Sequence, residues 1–245
     1  MHSITLHNLT LGYERHPAVH HLSGVFEPGS MTAVVGPNGS GKSTLLKGIT
    51  GMLRPLGGRI DRENLQLNQI AYLPQHLEVD RSFPITVMDI IILGFWHSIG
   101  MFGGMNRNLW ERAEQALITV GLDGFESRAI SNLSGGQFQR VMFARMLLQE
   151  CPVVVLDEPF TSIDAQTTLD LFKVISRWHA EKKTIIAVLH NFDQVRSYFP
   201  QTLLLAREPI GWGETHHVLT DENLRLSRRM SEAWDESARV CHEDN

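Results

Sequence analysis

The sequence predicts an α/β fold: a mainly parallel sheet covered on both faces, an antiparallel β region ahead of it, and a helical insert within it. Three observations predict this. Short apolar runs rich in β-branched residues recur along the chain, MTAVV at 31–35, IAYLP at 70–74, VVVL at 153–156 and TIIAVL at 184–189, and each suits a buried strand. Between the last two lies AQTTLDLFKVISRWHAEKK, amphipathic at helical spacing, and strand–helix–strand alternation makes neighbouring strands parallel and covers the sheet. From about 86 to 150 the apolar period becomes helical throughout.

Taken in order, the first thirty residues alternate apolar and polar positions (Ile4, Leu6, Leu9, Leu11), with Pro28-Gly29 as a turn, so short antiparallel strands are expected. MTAVV is a buried strand; a glycine loop and the helix KSTLLKGIT, ended by Gly51, follow it. Gly57-Gly58 marks a turn, and Pro74 stops the strand IAYLP. TVMDIIILGFWHS, NLWERAEQALITV closed by Gly121, and the run after LSGG are helices. VVVL and TIIAVL return as strands, and DENLRLSRRMSEAWDESA reads as a surface helix. No internal repeat or low-complexity tract interrupts this order. The division expected is one domain, with a core of residues 1–76 and 151–206, a helical subdomain at 77–150 and an extension at 207–245.

A chain of 245 residues can bury a sizeable core. Its 42% hydrophobic and 20% charged residues are ordinary for a soluble globular protein. With a formal net charge of -5 and no stretch that gathers Lys and Arg, nucleic acid is not the expected partner. Cys151 and Cys241 are too few for a disulfide scaffold and fit a reducing compartment. MHSITLHNLTLGY lacks the basic flank and apolar stretch of a signal peptide. The most apolar run, VMDIIILGFW, is broken by Asp89 and too short to span a bilayer. A cytoplasmic protein is expected, unless something anchors it.

Three motifs carry chemistry. GPNGSGKST, that is Gly36, Pro37, Asn38, Gly39, Ser40, Gly41, Lys42, Ser43 and Thr44, satisfies the P-loop pattern between a predicted strand and a predicted helix. There backbone amides close around phosphates, the lysine reaches the β- and γ-phosphates, and the Ser43 hydroxyl can ligate Mg²⁺. A tight strand-to-helix turn with a solvated lysine would explain the glycines alone, but not the whole pattern in this context. VVVLDE ends a strand in two acids: Asp157 would hold Mg²⁺ through its hydration shell, and Glu158 could polarise an attacking water. In LSGGQ, Ser134 and Gln137 form a capping box, which stabilises a helix start without any ligand. Capping gives no reason for Gly135 and Gly136, because glycine weakens a first turn; close approach of a phosphate does.

With LSGGQ beside the other two motifs, the sequence resembles the ATP-binding subunit of ABC transporters over roughly residues 1–206. The resemblance implies a P-loop NTPase core with the β and helical subdomains already described. It implies two subunits packed head to tail, with the signature Ser134–Gln137 of one closing over the ATP in the P-loop of the other, so that a symmetric homodimer holds two composite sites. It also implies that Tyr13 stacks on adenine and that Gln75 contacts Mg²⁺ and the lytic water and couples to the membrane partner. Asp164 touches the opposing site, and His190 contacts the γ-phosphate. The partner implied is an integral membrane permease, which holds the subunit on the inner face of the cell membrane. Three positions depart from the family pattern: Phe138 replaces the commoner glutamine, TSID replaces SALD, and Asn191 follows His190 where many relatives carry an acid.

FPITVMDIIILGFW, LSGGQFQRVMFARMLLQ, LDEPFTSID and the ending LLLAREPIGWGETHHVLTDENL are similar to the subfamily serving zinc and manganese importers. This resemblance implies import of a divalent transition metal, zinc favoured over manganese, with a periplasmic or extracellular metal-binding protein as indirect partner. The alternatives are a subunit for another substrate, an exporter subunit, or a soluble non-transport ABC ATPase; the last usually carries tandem ATPase domains, coiled-coil insertions or a basic face. His16, His20, His21, His216, His217 and the pair Cys241-His242 invite a metal-sensing reading, but with no fourth ligand specified they read as scattered surface residues.

Overall fold

The computed structural model describes residues 2–14, 16–75, 83–99, 104–161 and 163–232. Strands β1 (Ile4–Tyr13) and β2 (His16–Phe26) pair antiparallel. Ile4, Leu6, Leu9 and Leu11 are all buried, although their alternation changes phase after Leu6. A register shift between Leu6 and Leu9, with Asn8 in the left-handed region at φ 46°, supplies the extra residue. This β-bulge returns the apolar set to one face. Strand β3 (Met31–Val35) is buried throughout and leads through the glycine loop into α1 (Lys42–Ile49).

The turn expected at Gly57-Gly58 is instead the start of strand β4 (Gly57–Asp61), which pairs with β1 and completes a three-stranded sheet of order β2-β1-β4. Gly58 has φ +69°, and a Cβ there would sit 2.2 Å from the Asn8 carbonyl oxygen. The glycine therefore permits close strand approach rather than chain reversal.

After β5 (Ile70–Leu73) come α2 (Val87–Ile92), a 3₁₀ turn at Leu93–Phe95, α3 (Trp96–Ile99), α4 (Arg107–Thr119) and α5 (Gly135–Gln149). The single helix expected across TVMDIIILGFWHS is broken where Gly94 packs onto α5: a Cβ there would meet the Arg145 carbonyl oxygen at 2.4 Å. Strand β6 (Val153–Asp157), α6 (Ala165–Ala180), β7 (Thr184–Val188) and α7 (Phe192–Tyr198) follow. The chain then forms a hairpin, β8 (Gln201–Ala206) and β9 (Glu208–Glu214), before α8 (Thr215–Val218) and α9 (Asp221–Glu232). The remainder of the expected terminal helix, with Cys241 and His242, lies outside the described residues.

Among the described residues the main sheet has six strands in the order β5-β6-β7-β3-β8-β9, parallel except for the antiparallel edge strand β9. The sequence reading assigns no strand to β8 or β9; a single left-handed residue, Arg207 (φ 65°), makes the reversal between them. Successive side chains of the central strands serve opposite layers. Ala33, Val35, Val154, Leu156 and Ala187 pack with the helical region, while Val34, Val153, Val155 and Val188 pack with β1, β2 and α1. Among the described residues no helix is long and apolar enough to cross a membrane.

Candidate functional site

The carboxyl ends of the parallel strands β3, β5, β6 and β7 deliver Gly36, Gln75, Asp157–Glu158 and His190 to one end of the sheet, where α/β proteins bind ligands. The glycine loop is held from both sides. A Cβ on Gly36 would sit 1.9 Å from the Leu205 carbonyl oxygen, and one on Gly41 2.4 Å from that of Ala18. Gly41 stands at the start of α1 with φ +93° and no side-chain cap, so the first amides of the helix face the loop uncapped by any side chain. Ser40 is buried, its Oγ has no hydrogen-bond partner among the described residues, and its carbonyl accepts from the Arg207 amide at 3.1 Å.

Lys42 is buried, and its Nζ donates to the carbonyls of Gly36 (2.9 Å) and Pro37 (2.8 Å). Burial lowers its pKa, against the opposing pull of Glu158 and Asp157. The Ser43 hydroxyl donates to Asp157 Oδ1 at 3.1 Å. Burial pushes the Asp157 carboxyl up, partly offset by the Ser43 hydrogen bond. Beside it Tyr72 is half-buried, its hydroxyl held above its ordinary value by burial and by the Asp157 charge.

Glu158 sits in the left-handed region at φ 50°, an uncommon conformation for a non-glycine residue. Its amide donates to the Val188 carbonyl (3.2 Å), Oε1 lies 2.6 Å from His190 Nε2, and Oε2 accepts from Thr161 Oγ1 at 3.5 Å. Asn38, Gly39, Lys42, Ser43, Thr44, Gln75, Glu158 and His190 line a single cleft of about 610 Å³.

Other predicted residues stand apart from this cleft. Tyr13 is 48% exposed at the end of β1, its hydroxyl accepting from Lys47 Nζ at 3.3 Å. Ser134 and Gln137 make the reciprocal box, with Ser134 Oγ accepting from the Gln137 amide (3.2 Å) and Gln137 Oε1 from the Ser134 amide (3.0 Å). Among the described residues a Cβ on Gly135 would meet nothing within 4 Å, so their packing does not require the glycine. Asp164 caps α6, Oδ1 accepting from the Thr167 amide (2.9 Å) and Oδ2 from the Thr167 hydroxyl (2.7 Å), and these bonds hold its carboxyl below the usual range. Neither the signature residues nor Asp164 lines the cleft.

Two of the departures acquire local roles. Phe138 is buried in the core of the helical region, and Asn191 caps α7 by accepting from the amides of Asp193 (2.9 Å) and Gln194 (3.2 Å). Sequence reasoning missed Gln139, a buried amide on α5 that donates to the Pro159 carbonyl at 3.3 Å and so ties the signature helix to the loop after Glu158. A glutamine at a core position of an apolar helix is the signal that could have found it. It also missed Thr161.

A sheet of this order, a glycine cradle opening a helix at its carboxyl end, and paired acids on the adjacent strand define a P-loop NTPase. The sequence profile of the ABC transporter family matches residues 19–161. The chain is 36% identical over 228 residues to the manganese transport system ATP-binding protein MntB of Listeria innocua, covering 91% of this chain and 95% of that protein. It is 35% identical to the zinc transport system ATP-binding protein TroB of Treponema pallidum, covering 90% and 85%. A metal-chelate type ABC transporter in an inward-facing conformation superposes with a TM-score of 0.79 at 29% identity, covering 94% of this chain and 90% of that one. An ATP-binding cassette in its ADP conformation superposes at 0.77, with 24% identity, and shares the fold. The chain belongs to the ABC transporter family: it is an ATP-binding subunit, an ATPase.

Proposed function

We propose that this chain energises import of a divalent transition metal by closing as a homodimer around ATP and reopening after hydrolysis. One observation carries the reading: the Glu158–His190 pair at 2.6 Å shares a cleft with Lys42 and Ser43, while the signature turn with Gly135 stands outside it. A second copy would bring that turn to the nucleotide.

In this reading Lys42 exchanges its two loop carbonyls for the β- and γ-phosphates, and the amides of Gly36–Thr44 surround them. Pro37, Asn38, Gly39 and Ser40 shape the loop, and Tyr13 supports the adenine. The hydroxyl of Ser43 and the carboxylate of Asp157, 3.1 Å apart, are hard oxygen donors that fit Mg²⁺, with Gln75 facing the same space. Held by Ser43 and Asp157, Mg²⁺ would supply charge neutralisation to the phosphates. Glu158 accepts the proton of the attacking water, and His190 fixes the carboxylate and meets the γ-phosphate. From the partner subunit, the amides and hydroxyl of the signature turn and the Asp164 region complete the site. The division into a core (1–76 and 151–206), a helical subdomain (77–150) and an extension (207–245) is retained in this reading. The names of the relatives, ATP-binding proteins of transport systems, support a membrane permease as partner, itself fed by a metal-binding protein outside the membrane.

The names of the relatives support a metal as cargo. They do not support the expected preference of zinc over manganese, since manganese systems of Listeria innocua, Bacillus subtilis and Synechocystis stand beside the zinc system of Treponema pallidum. Manganese is therefore placed ahead of zinc. The test is ATP-driven uptake of Mn²⁺ and Zn²⁺ into vesicles holding this subunit and its co-purifying membrane protein. Uptake of Mn²⁺ or Zn²⁺ that stops in Glu158→Gln is expected. ATP hydrolysis without movement of either metal would overturn the cargo reading.

A further inference from the structure

Glu214 closes β9, and His216 and His217 follow at once in the single-turn α8, away from the nucleotide cleft. His216 Nε2 lies 3.4 Å and His217 Nδ1 3.5 Å from the same atom, Glu214 Oε2. The three ligand atoms lie within 4.8 Å of one another. Adjacent residues on a helix point roughly 100° apart and do not ordinarily meet. These two converge because they offer opposite ring nitrogens, with ring centroids 3.9 Å apart. Ligands held about 2.0–2.1 Å from a tetrahedral ion are separated by ~3.3–3.4 Å along each edge, and the two measured separations are edges of that size. An exposed carboxylate–imidazole contact is by itself worth little.

The backbone beneath the cluster is fixed. Thr215 is buried; its amide donates to the Pro200 carbonyl at 3.0 Å, and its hydroxyl donates to the Phe199 carbonyl and lies 2.8 Å from that of Thr202. Val218 and Leu219 enter the core, and Asn223 Nδ2 donates to the Val218 carbonyl at 2.9 Å. The ligands therefore project from a pinned turn, while their side chains, 58% to 73% exposed, remain open to an ion from solvent. His216 and His217 are thus not scattered, in contrast to the sequence reading; His20 is buried.

We propose that Glu214, His216 and His217 bind one divalent transition ion of the zinc class, with water in the remaining coordination positions. Two imidazoles and a carboxylate favour zinc, nickel or copper over manganese, which stands lowest in the affinity order of the first-row ions. The site stands whether or not the transported metal is manganese, and its test involves no transport.

Full-length, metal-stripped protein is titrated with zinc chloride against a fluorescent chelator, without nucleotide or Mg²⁺. One Zn²⁺ per chain is expected, weakened at least tenfold in His216→Ala and in His217→Ala and unchanged in Lys42→Ala. Equal binding by the wild type and a His216→Ala/His217→Ala double variant would overturn the proposal. Independently of any variant, saturating Zn²⁺ should protect both rings of the wild type from diethyl pyrocarbonate, read by peptide mass mapping; rings that react equally with and without Zn²⁺ would overturn it as well. A ~100-fold excess of Mn²⁺ should leave the bound Zn²⁺ in place, and equal competition by the two ions would refute the ligand set.

Discussion

Glu158 holds a left-handed backbone and makes three contacts, to Val188, His190 and Thr161. A group so fixed loses little freedom when it meets its water, which suits a general base. Glu158→Gln should keep ATP affinity within about twofold and lower turnover ~10²–10⁴-fold, the range of general-base catalysis. Gel filtration with Mg-ATP should show the variant as a dimer, and a persistent monomer would contradict the proposed closure. Asp157 makes the opposite bargain with stability. Burial raises its folded pKa above the unfolded value, so its contribution is fully present below the unfolded pKa of about 4 and is lost as pH rises through the folded value. At neutral pH the ionised carboxylate therefore costs stability. Asp157→Asn should raise the melting temperature of the nucleotide-free protein at pH 7, because the substitution removes a buried charge. The gain should vanish below pH ~4, while Mg²⁺-dependent turnover is lost. A melting curve unchanged at pH 7 would refute this account of the buried acid.

At the scale of an element, α5 shows two demands placed on one turn. The Ser134–Gln137 box holds the helix start, and Ser134→Ala should destabilise the protein by about 0.5–2 kcal/mol in denaturant titration. Gly135 does the reverse: with open space around its missing Cβ, Gly135→Ala should be neutral or stabilising by up to about 1 kcal/mol. If an incoming phosphate needs that space, the same variant should lose at least tenfold in ATPase rate. A stabilised variant with full activity would return the glycine to local structure. The box was legible because capping depends on neighbours three residues apart, and so were most helices and central strands. Gly57-Gly58 and the β8–β9 hairpin were not, since a glycine pair means strand or turn only once Asn8 lies across from it. The break at Gly94 likewise depends on the Arg145 carbonyl, brought against it by packing alone.

Across the whole molecule, the cleft gathers residues from four strand ends, yet Ser134 and Asp164 remain outside its lining. A single copy thus keeps the cleft apart from the signature turn, and the proposed head-to-tail pairing would bring them together. Mixing Lys42→Ala with Ser134→Arg subunits should restore hydrolysis toward one working site per dimer, because one pairing joins an intact cradle to an intact signature. Each variant alone should be inactive, and a freely exchanging mixture with no recovery would count against the head-to-tail arrangement.

Sequence alone determined the cradle, the paired acids, the signature turn and the alternation of strand and helix, because each depends on residues close in the chain or on a period it repeats. Only the tertiary structure decided that His190 meets Glu158, that Ser43 meets Asp157 across the sheet, that Gln139 ties α5 to Pro159, and that Glu214, His216 and His217 converge. The first three pairings arise where strand order sets distances that no spacing along the chain records; the last joins sequence neighbours, whose ring directions are set by a turn pinned from elsewhere in the fold.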